Sequence, residues 1–234
     1  MSVAMTTSPA SFVSSDDVQR VVANLADVRR RIVNAGGDPS AIGVVAVTKM
    51  FGLTMVRAAH AAGLTTLGEN YVDELEDKRR ETGDLAIRWH YLGALQSNKI
   101  ARVLRVADVL SGVSREKEIR KIAALCPGAT IDVQVDLTGA AERNGADDAD
   151  VPGLVALARE EGLDVRGLMT VASPEPMTAE RQFARVNELC HELDLRERSM
   201  GMSDDLELAV ARGSTEIRVG RALFGPRTTS TPLT

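Results

Sequence analysis

The stretch VVAVTKM, residues 44–50, runs apolar and small residues straight into a lysine. An apolar run of this length reads as a strand buried on both faces, and a lysine at its end costs several kcal/mol to desolvate unpaired, roughly. Taken alone, the segment leaves Lys49 as a lysine that has reached the surface, the commonest state for that residue. Seven further strand patterns follow it: TTLGE (65–69), IRWHYLG (87–93), DVLSGV (108–113), TIDVQVDL (130–137), VRGLMTV (165–171), ERSMGM (197–202) and EIRVG (216–220). With the first, IGVVAVT (42–48), they make eight, and helical patterns such as YVDELEDKRRE and TAERQFARVNELCHEL fill the intervals. Such an alternation predicts a parallel sheet closed on itself, because each crossover is right-handed and both sheet faces need covering. The expected fold is α/β, a single TIM-type (β/α)8 barrel with an extra N-terminal helix. That helix is signalled by Ser14 or Ser15 as cap and by Val18, Val21, Val22, Leu25, Val28 and Ile32 at helical spacing. An open doubly wound sheet is the alternative, weakened because no Gly-rich G-x-G-x-x-G turn follows the first strand.

Composition narrows the functional classes. The 234 residues are 44% hydrophobic and 26% charged, ordinary globular material with a net charge of -5. Lysine and arginine are spread through the helices rather than massed in a stripe, which argues against nucleic acid and anionic membranes as partners. No apolar run approaches the length of a membrane span and the N-terminus lacks a signal-peptide pattern, so the expected location is cytoplasmic. Cys126 and Cys190 lie far apart without a C-x-x-C partner, and His60, His90 and His191 are scattered, so no disulfide framework or metal site is expected. Residues 1–13 read as a mobile leader, 14–226 as the barrel domain and 227–234 as a mobile tail.

Barrel enzymes build their sites at the C-terminal ends of the strands. Here strand 1 ends at Lys49, strand 2 at Glu69 and Asn70, strand 7 at Gly201, Met202 and Ser203, and strand 8 at Gly220 and Arg221. Loops after strands 7 and 8 often hold phosphate through backbone N–H groups, and a glycine such as Gly220 allows close approach. Ser203 read by itself is equally an N-cap for the helix beginning at Asp204, and Gly220 a turn glycine. GMSDD has no glycine two residues after its serine, which excludes a serine-hydrolase elbow. A lysine across from a phosphate cradle suits a phosphorylated aldehyde, with pyridoxal 5'-phosphate (PLP) the first candidate, since a lysine amine forms a Schiff base with it.

The segments VAVTKM, LGENYVDEL, WHYLGALQSNK, GLMTVAS and SMGMSDDLELAVARGSTEIRVGRALFG together resemble the YggS/PROSC family, the pyridoxal phosphate homeostasis proteins, themselves similar to the N-terminal barrel of alanine racemase. The likeness runs from residue 15 to residue 225. It implies that Lys49 carries the internal aldimine and that Arg218 faces the pyridine nitrogen. It also implies that Ser203, Gly220 and the Arg221 backbone contact the phosphate, that Asn70 lines the pocket and that Met202 neighbours the phosphate loop. His90 is either a pocket residue or a buried structural histidine. Alternation leaves open that Arg218 points outward and pairs with Glu216 or a helical acid. The family usually has Thr or Ser at Arg221, Pro at Ala94, Asp at Ser114 and Asn at Asp136.

The resemblance implies a carrier that holds PLP as a lysine aldimine in intracellular vitamin B6 homeostasis without strong catalysis, with apo PLP enzymes as possible acceptors and a monomeric state. The alternative is a PLP-dependent amino-acid racemase. Racemisation needs a second proton-transfer group opposite the lysine, in the resembling racemases a tyrosine from a further domain. Tyr71 and Tyr91, the only tyrosines, fall within the barrel. A pure interaction scaffold would leave the lysine, arginine and phosphate-loop constellation unexplained.

Overall fold

The computed structural model describes residues 13–139 and 144–226. Ser14 has extended backbone and its side chain accepts a hydrogen bond from the Asp16 amide, which starts helix α1 (Ser15–Asn34). Val21, Leu25, Val28 and Ile32 are its buried stripe, whereas Val22, counted in the sequence stripe, is 48% exposed. Val13, assigned from sequence to the leader, packs against the core. Residues 1–12 and the predicted tail at 227–234 lie outside the described residues.

After α1, strands and helices alternate: β1 (Gly43–Val47), α2 (Leu53–Ala61), β2 (Thr66–Glu69), α3 (Val72–Glu81), β3 (Arg88–Tyr91), α4 (Ile100–Val106), β4 (Val109–Val113), α5 (Glu116–Leu125) and β5 (Thr130–Val135). The chain continues through α6 (Val151–Glu160), β6 (Asp164–Thr170), α7 (Pro176–Glu192), β7 (Glu197–Ser199), α8 (Leu206–Ala211), β8 (Glu216–Val219) and α9 (Arg221–Phe224). The eight strands among the described residues form a closed parallel barrel in sequence order, and β8 closes on β1 through Gly43–Glu216 and Val45–Arg218 register pairs. The barrel and the N-terminal helix are those the alternation predicts. No helix among the described residues is long and apolar enough to cross a membrane.

The C-terminal part of the barrel departs from the sequence reading in three places. Strand β7 stops at Ser199, because Gly201 takes a φ of +97 that ends extended backbone, although hydrogen bonding to β8 persists from Arg218 N to Gly201 O (2.9 Å). A Cβ at Gly201 would lie 2.6 Å from Ala209 Cβ, so this turn requires glycine sterically as well as conformationally. Helix α8 begins at Leu206 rather than Asp204. The third difference is α9, a single turn too short for a periodic signal. It is held from both sides: Asn24 Nδ2 of α1 donates to Leu223 O at 2.8 Å, and Phe224 packs on Phe51 with ring centroids 5.1 Å apart. That ring pair joins α9 to the loop that follows β1.

Candidate functional site

The C-terminal strand ends surround a cavity of about 780 Å³. All seven residues singled out from sequence line it: Lys49 after β1, Asn70 after β2, Met202 and Ser203 after β7, Arg218 on β8, and Gly220 and Arg221 at the start of α9. The apolar wall was less legible. Phe51, Leu92, Met169, Val171 and Leu208 contribute to it, together with the Ala172–Pro174 turn. Its sequence signals are the apolar ends of the third and sixth strand patterns, which hold Leu92, Met169 and Val171.

The cavity floor begins with Arg218. Its side chain is buried, Nη1 donates to the carbonyl and hydroxyl of Ser199, and Nη2 donates to Thr170 O at 2.6 Å. These partners belong to β7 and β6, so the guanidinium points into the barrel and not outward to the helices. Glu216 is engaged by Arg166, which bonds its carboxylate at 2.9 and 3.0 Å and that of Asp132 at 2.9 and 2.7 Å. Burial lowers the Arg166 pKa, but the hydrogen bonds and charges of Asp132 and Glu216 outweigh it and hold the guanidinium above its ordinary value. With Glu216 engaged by Arg166, the direct partners of Arg218 are a hydroxyl and two carbonyl oxygens. A buried cation bound to neutral acceptors at the floor of a cavity favours an electron-rich ligand group above it.

The rim between β7 and α9 is built from turns. Ser203 Oγ accepts a hydrogen bond from Ala222 N at 3.1 Å, so it serves the first turn of α9 and does not cap α8. Gly220 lies close to β1: a Cβ there would come 3.0 Å from Val47 O. The Met202 amide donates to Asp205 Oδ1, which leaves Met202 a lining residue and not a free N–H donor. Arg221 turns its guanidinium to Asp204, both largely exposed, so its side chain lies at the rim. A second departure from the family pattern, Asp136, is engaged locally, its carboxylate accepting from the Thr138 amide and hydroxyl.

Lys49 is half-buried and lines the cavity, which resolves the reading of VVAVTKM: the strand delivers its lysine to a cavity. Asn70 Oδ1 is fully buried without a hydrogen-bond partner among the described residues. An orphaned buried amide oxygen in a cavity wall is a cost of about 1–3 kcal/mol that a bound polar group would relieve.

His90 does not line the cavity. It lies deeper in the barrel, with Nδ1 3.8 Å from Glu216 Oε1; since β3 and β8 are not neighbours, both side chains point into the lumen. Neither ring nitrogen has a hydrogen-bond partner among the described residues. Burial pushes its pKa from the ordinary 6.5 down to about 4, Arg166 and Arg88 acting in the same direction and Glu216 and Asp132 against it. A depressed folded-state pKa means that the unfolded chain binds the proton first as pH falls, so stability is lost between about pH 6.5 and 4. At about 1.4 kcal/mol per unit, the loss is on the order of 3 kcal/mol. We expect His90→Leu to flatten this part of the urea-unfolding pH profile; an unchanged slope would contradict the assignment.

Residues 17–228 match the alanine racemase N-terminal domain family. A pyridoxal phosphate homeostasis protein of Pseudomonas aeruginosa is 39% identical over 228 residues, spanning 91% of this chain and 98% of that relative. The chain belongs to the pyridoxal phosphate homeostasis family. A solved structure of similar shape, PipY of Synechococcus elongatus, was determined without PLP (31% identity, TM-score 0.81) and with PLP bound (32%, TM-score 0.75). In both cases the match covers 88% of this chain and all of that one. Alanine racemase of Streptomyces coelicolor is 22% identical at a TM-score of 0.72, over 89% of this chain and 58% of that one, a likeness of fold alone. This chain thus shares with the racemase the barrel fold.

Proposed function

We propose that the protein holds PLP in this cavity, attached through Lys49, and serves vitamin B6 homeostasis in the cytoplasm as a monomeric carrier without strong catalytic activity. The observation that carries this reading is the convergence of Lys49, Arg218 and the Ser203–Gly220 rim on one cavity. The orphaned Asn70 oxygen fits a ligand with polar substituents. When bound, PLP supplies an aldehyde carbon that an amine captures with loss of water, and a pyridine ring that draws electron density from the attached group.

The chain's own residues account for the rest. Lys49 supplies the amine. Ser203 and the backbone of Gly220 and Arg221 would hold the phosphate. Arg218, fixed by Ser199 and Thr170, would face the ring nitrogen and keep it unprotonated, because a permanent cation opposes a second positive charge beside it. An unprotonated ring is a weaker electron sink, which suits storage of the cofactor. The apolar wall of Phe51, Leu92, Met169 and Val171 limits water. A racemase would need a second proton-transfer group across from Lys49. Tyr71 is exposed, the Tyr91 hydroxyl lies 3.5 Å from Ala94 O, and neither lines the cavity.

The test is to load the protein with PLP and incubate it separately with apo PLP enzymes and with L-alanine. A carrier activates the apo enzymes and leaves alanine unracemised; efficient racemisation would replace this reading with the enzymatic one. For the rim, Ser203→Ala should weaken PLP binding by about 1–3 kcal/mol, as for a lost hydrogen bond to a charged group. Its stability cost should be only about 1 kcal/mol, from the bond to Ala222 N. Unchanged affinity in equilibrium dialysis with a large stability loss would reduce Ser203 to a structural cap.

A further inference from the structure

The two peptide units that flank Lys49 are held by a tight turn and by two side chains, Lys78 and Glu74, that do not line the cavity. Thr48 O accepts from Phe51 N at 2.9 Å, closing a four-residue turn with Lys49 and Met50 at its centre. Met50 has a φ of +64, the left-handed conformation that the third position of a type II turn requires and that glycine normally supplies. A methionine there costs about 1–2 kcal/mol, and such a residue persists only where its surroundings over-determine it.

Those surroundings come from β2 and α3. Lys78, buried on α3, donates to Thr48 O at 2.8 Å, Glu69 Oε1 at 2.6 Å and Glu74 Oε2 at 3.0 Å, so each of its three N–H bonds has an acceptor. Glu74, one helical turn before it, accepts from the Met50 amide through the same Oε2 at 2.9 Å. Glu69 accepts from Thr48 Oγ1 at 2.6 Å. The carbonyl before Lys49 and the amide after it are therefore joined through one ammonium and one carboxylate. A lysine stem has ample rotamer freedom, so the reach of its amine is set by the position and direction of its Cα–Cβ bond, which these two peptide units fix.

We propose that Lys78 and Glu74 are positioning residues for Lys49: they hold the strained Thr48–Phe51 turn so that the Lys49 amine enters the cavity at one place. The inference rests on the reading of Lys49 as the attachment point and adds to it the groups that aim it. Neither Lys78 nor Glu74 lines the cavity, so both act through Lys49.

The experiment compares Lys78→Met and Glu74→Ala with the unsubstituted protein in three measurements. The first is the rate at which added PLP becomes reducible by borohydride to a Lys49 adduct. The second is affinity for pyridoxine 5'-phosphate, which has the phosphate and ring but no aldehyde. The third is hydrogen exchange of the Met50 amide in the cofactor-free protein. The expected result is adduct formation slowed about 10–100-fold, the range for a reacting group displaced by about an ångström. Met50 exchange should rise in both variants and pyridoxine 5'-phosphate affinity should stay within about twofold. Equal loss for both ligands, or unchanged adduct rate and exchange, would overturn the proposal. Glu74 is partly exposed, so its variant keeps the test decisive should Lys78→Met fail to fold. If the unsubstituted protein forms no Lys49 adduct, the proposed function fails instead, and Met50 exchange still decides whether the anchor holds the turn.

Discussion

Arg166→Met should destabilise the protein by about 3–5 kcal/mol, the loss expected when one partner of a buried ionic cluster is removed and the other is left uncompensated. Arg166 bonds both Asp132 and Glu216 inside the barrel, where the Asp132 side chain has no solvent exposure and that of Glu216 8%. Without the guanidinium the two carboxylates face each other in a low-dielectric lumen. A proton bound within the cluster relieves this repulsion, so the deficit should be larger at pH 8 than at pH 5. For a chain of this size the change corresponds to a fall in Tm of roughly 6–20 °C. Calorimetry at the two pH values checks it, and combining Arg166→Met with Asp132→Asn and Glu216→Gln should recover much of the loss. A change below about 1 kcal/mol would mean that water reaches the cluster. The site should register the change too, because Ser199 Oγ donates to Glu216 at 2.8 Å and accepts from Arg218 at 3.1 Å.

Lys49→Ala should abolish covalent capture of PLP completely while leaving measurable non-covalent binding. The proposed phosphate rim of Ser203, Gly220 and Arg221 lies in the turns after β7 and β8 and at the start of α9, away from the amine, and Arg218 keeps its own anchors on β6 and β7. The spectrum of the variant with added PLP should be that of the free aldehyde, and dialysis should still retain part of the ligand. Fold stability should change little, because Lys49 is half-buried at the strand end. Retention of a borohydride-stable adduct by the variant would move the attachment to another lysine.

The architecture was legible because each strand pattern was an apolar run punctuated by helical periodicity, and closure follows from repeating that unit eight times. The cavity residues were legible for a related reason: in a parallel barrel every strand delivers its last residues to the same face, so Lys49, Asn70, Ser203 and Arg221 were brought together by topology alone. The lumen was not legible. Asp132, Arg166 and Glu216 are charges set among apolar residues of three strands, and alternation reads such a charge as facing solvent. A closed barrel has no solvent face, so those charges had to meet one another inside it. The same limit leaves Arg218 open in sequence between lumen and helix layer, a choice that its bonds to Ser199 and Thr170 make in favour of the lumen. Ser203 shows a further limit: sequence leaves a serine ahead of a helix open between cap and phosphate contact and gives no sign that its hydroxyl accepts from Ala222 N, a contact made by tertiary packing. The Lys78 anchor was missed because its members, Thr48, Glu69, Glu74 and Lys78, come from three elements and only the Glu74–Lys78 spacing is local.

Peptide mass mapping of the unsubstituted protein after PLP loading and borohydride reduction decides whether Lys49 is the residue that captures the cofactor. The account predicts a pyridoxyl adduct on Lys49 in near-stoichiometric yield. Lys78, with its three N–H bonds committed in the core, should remain unlabelled. An adduct found mainly on Lys78, Lys99, Lys117 or Lys121 would contradict the account.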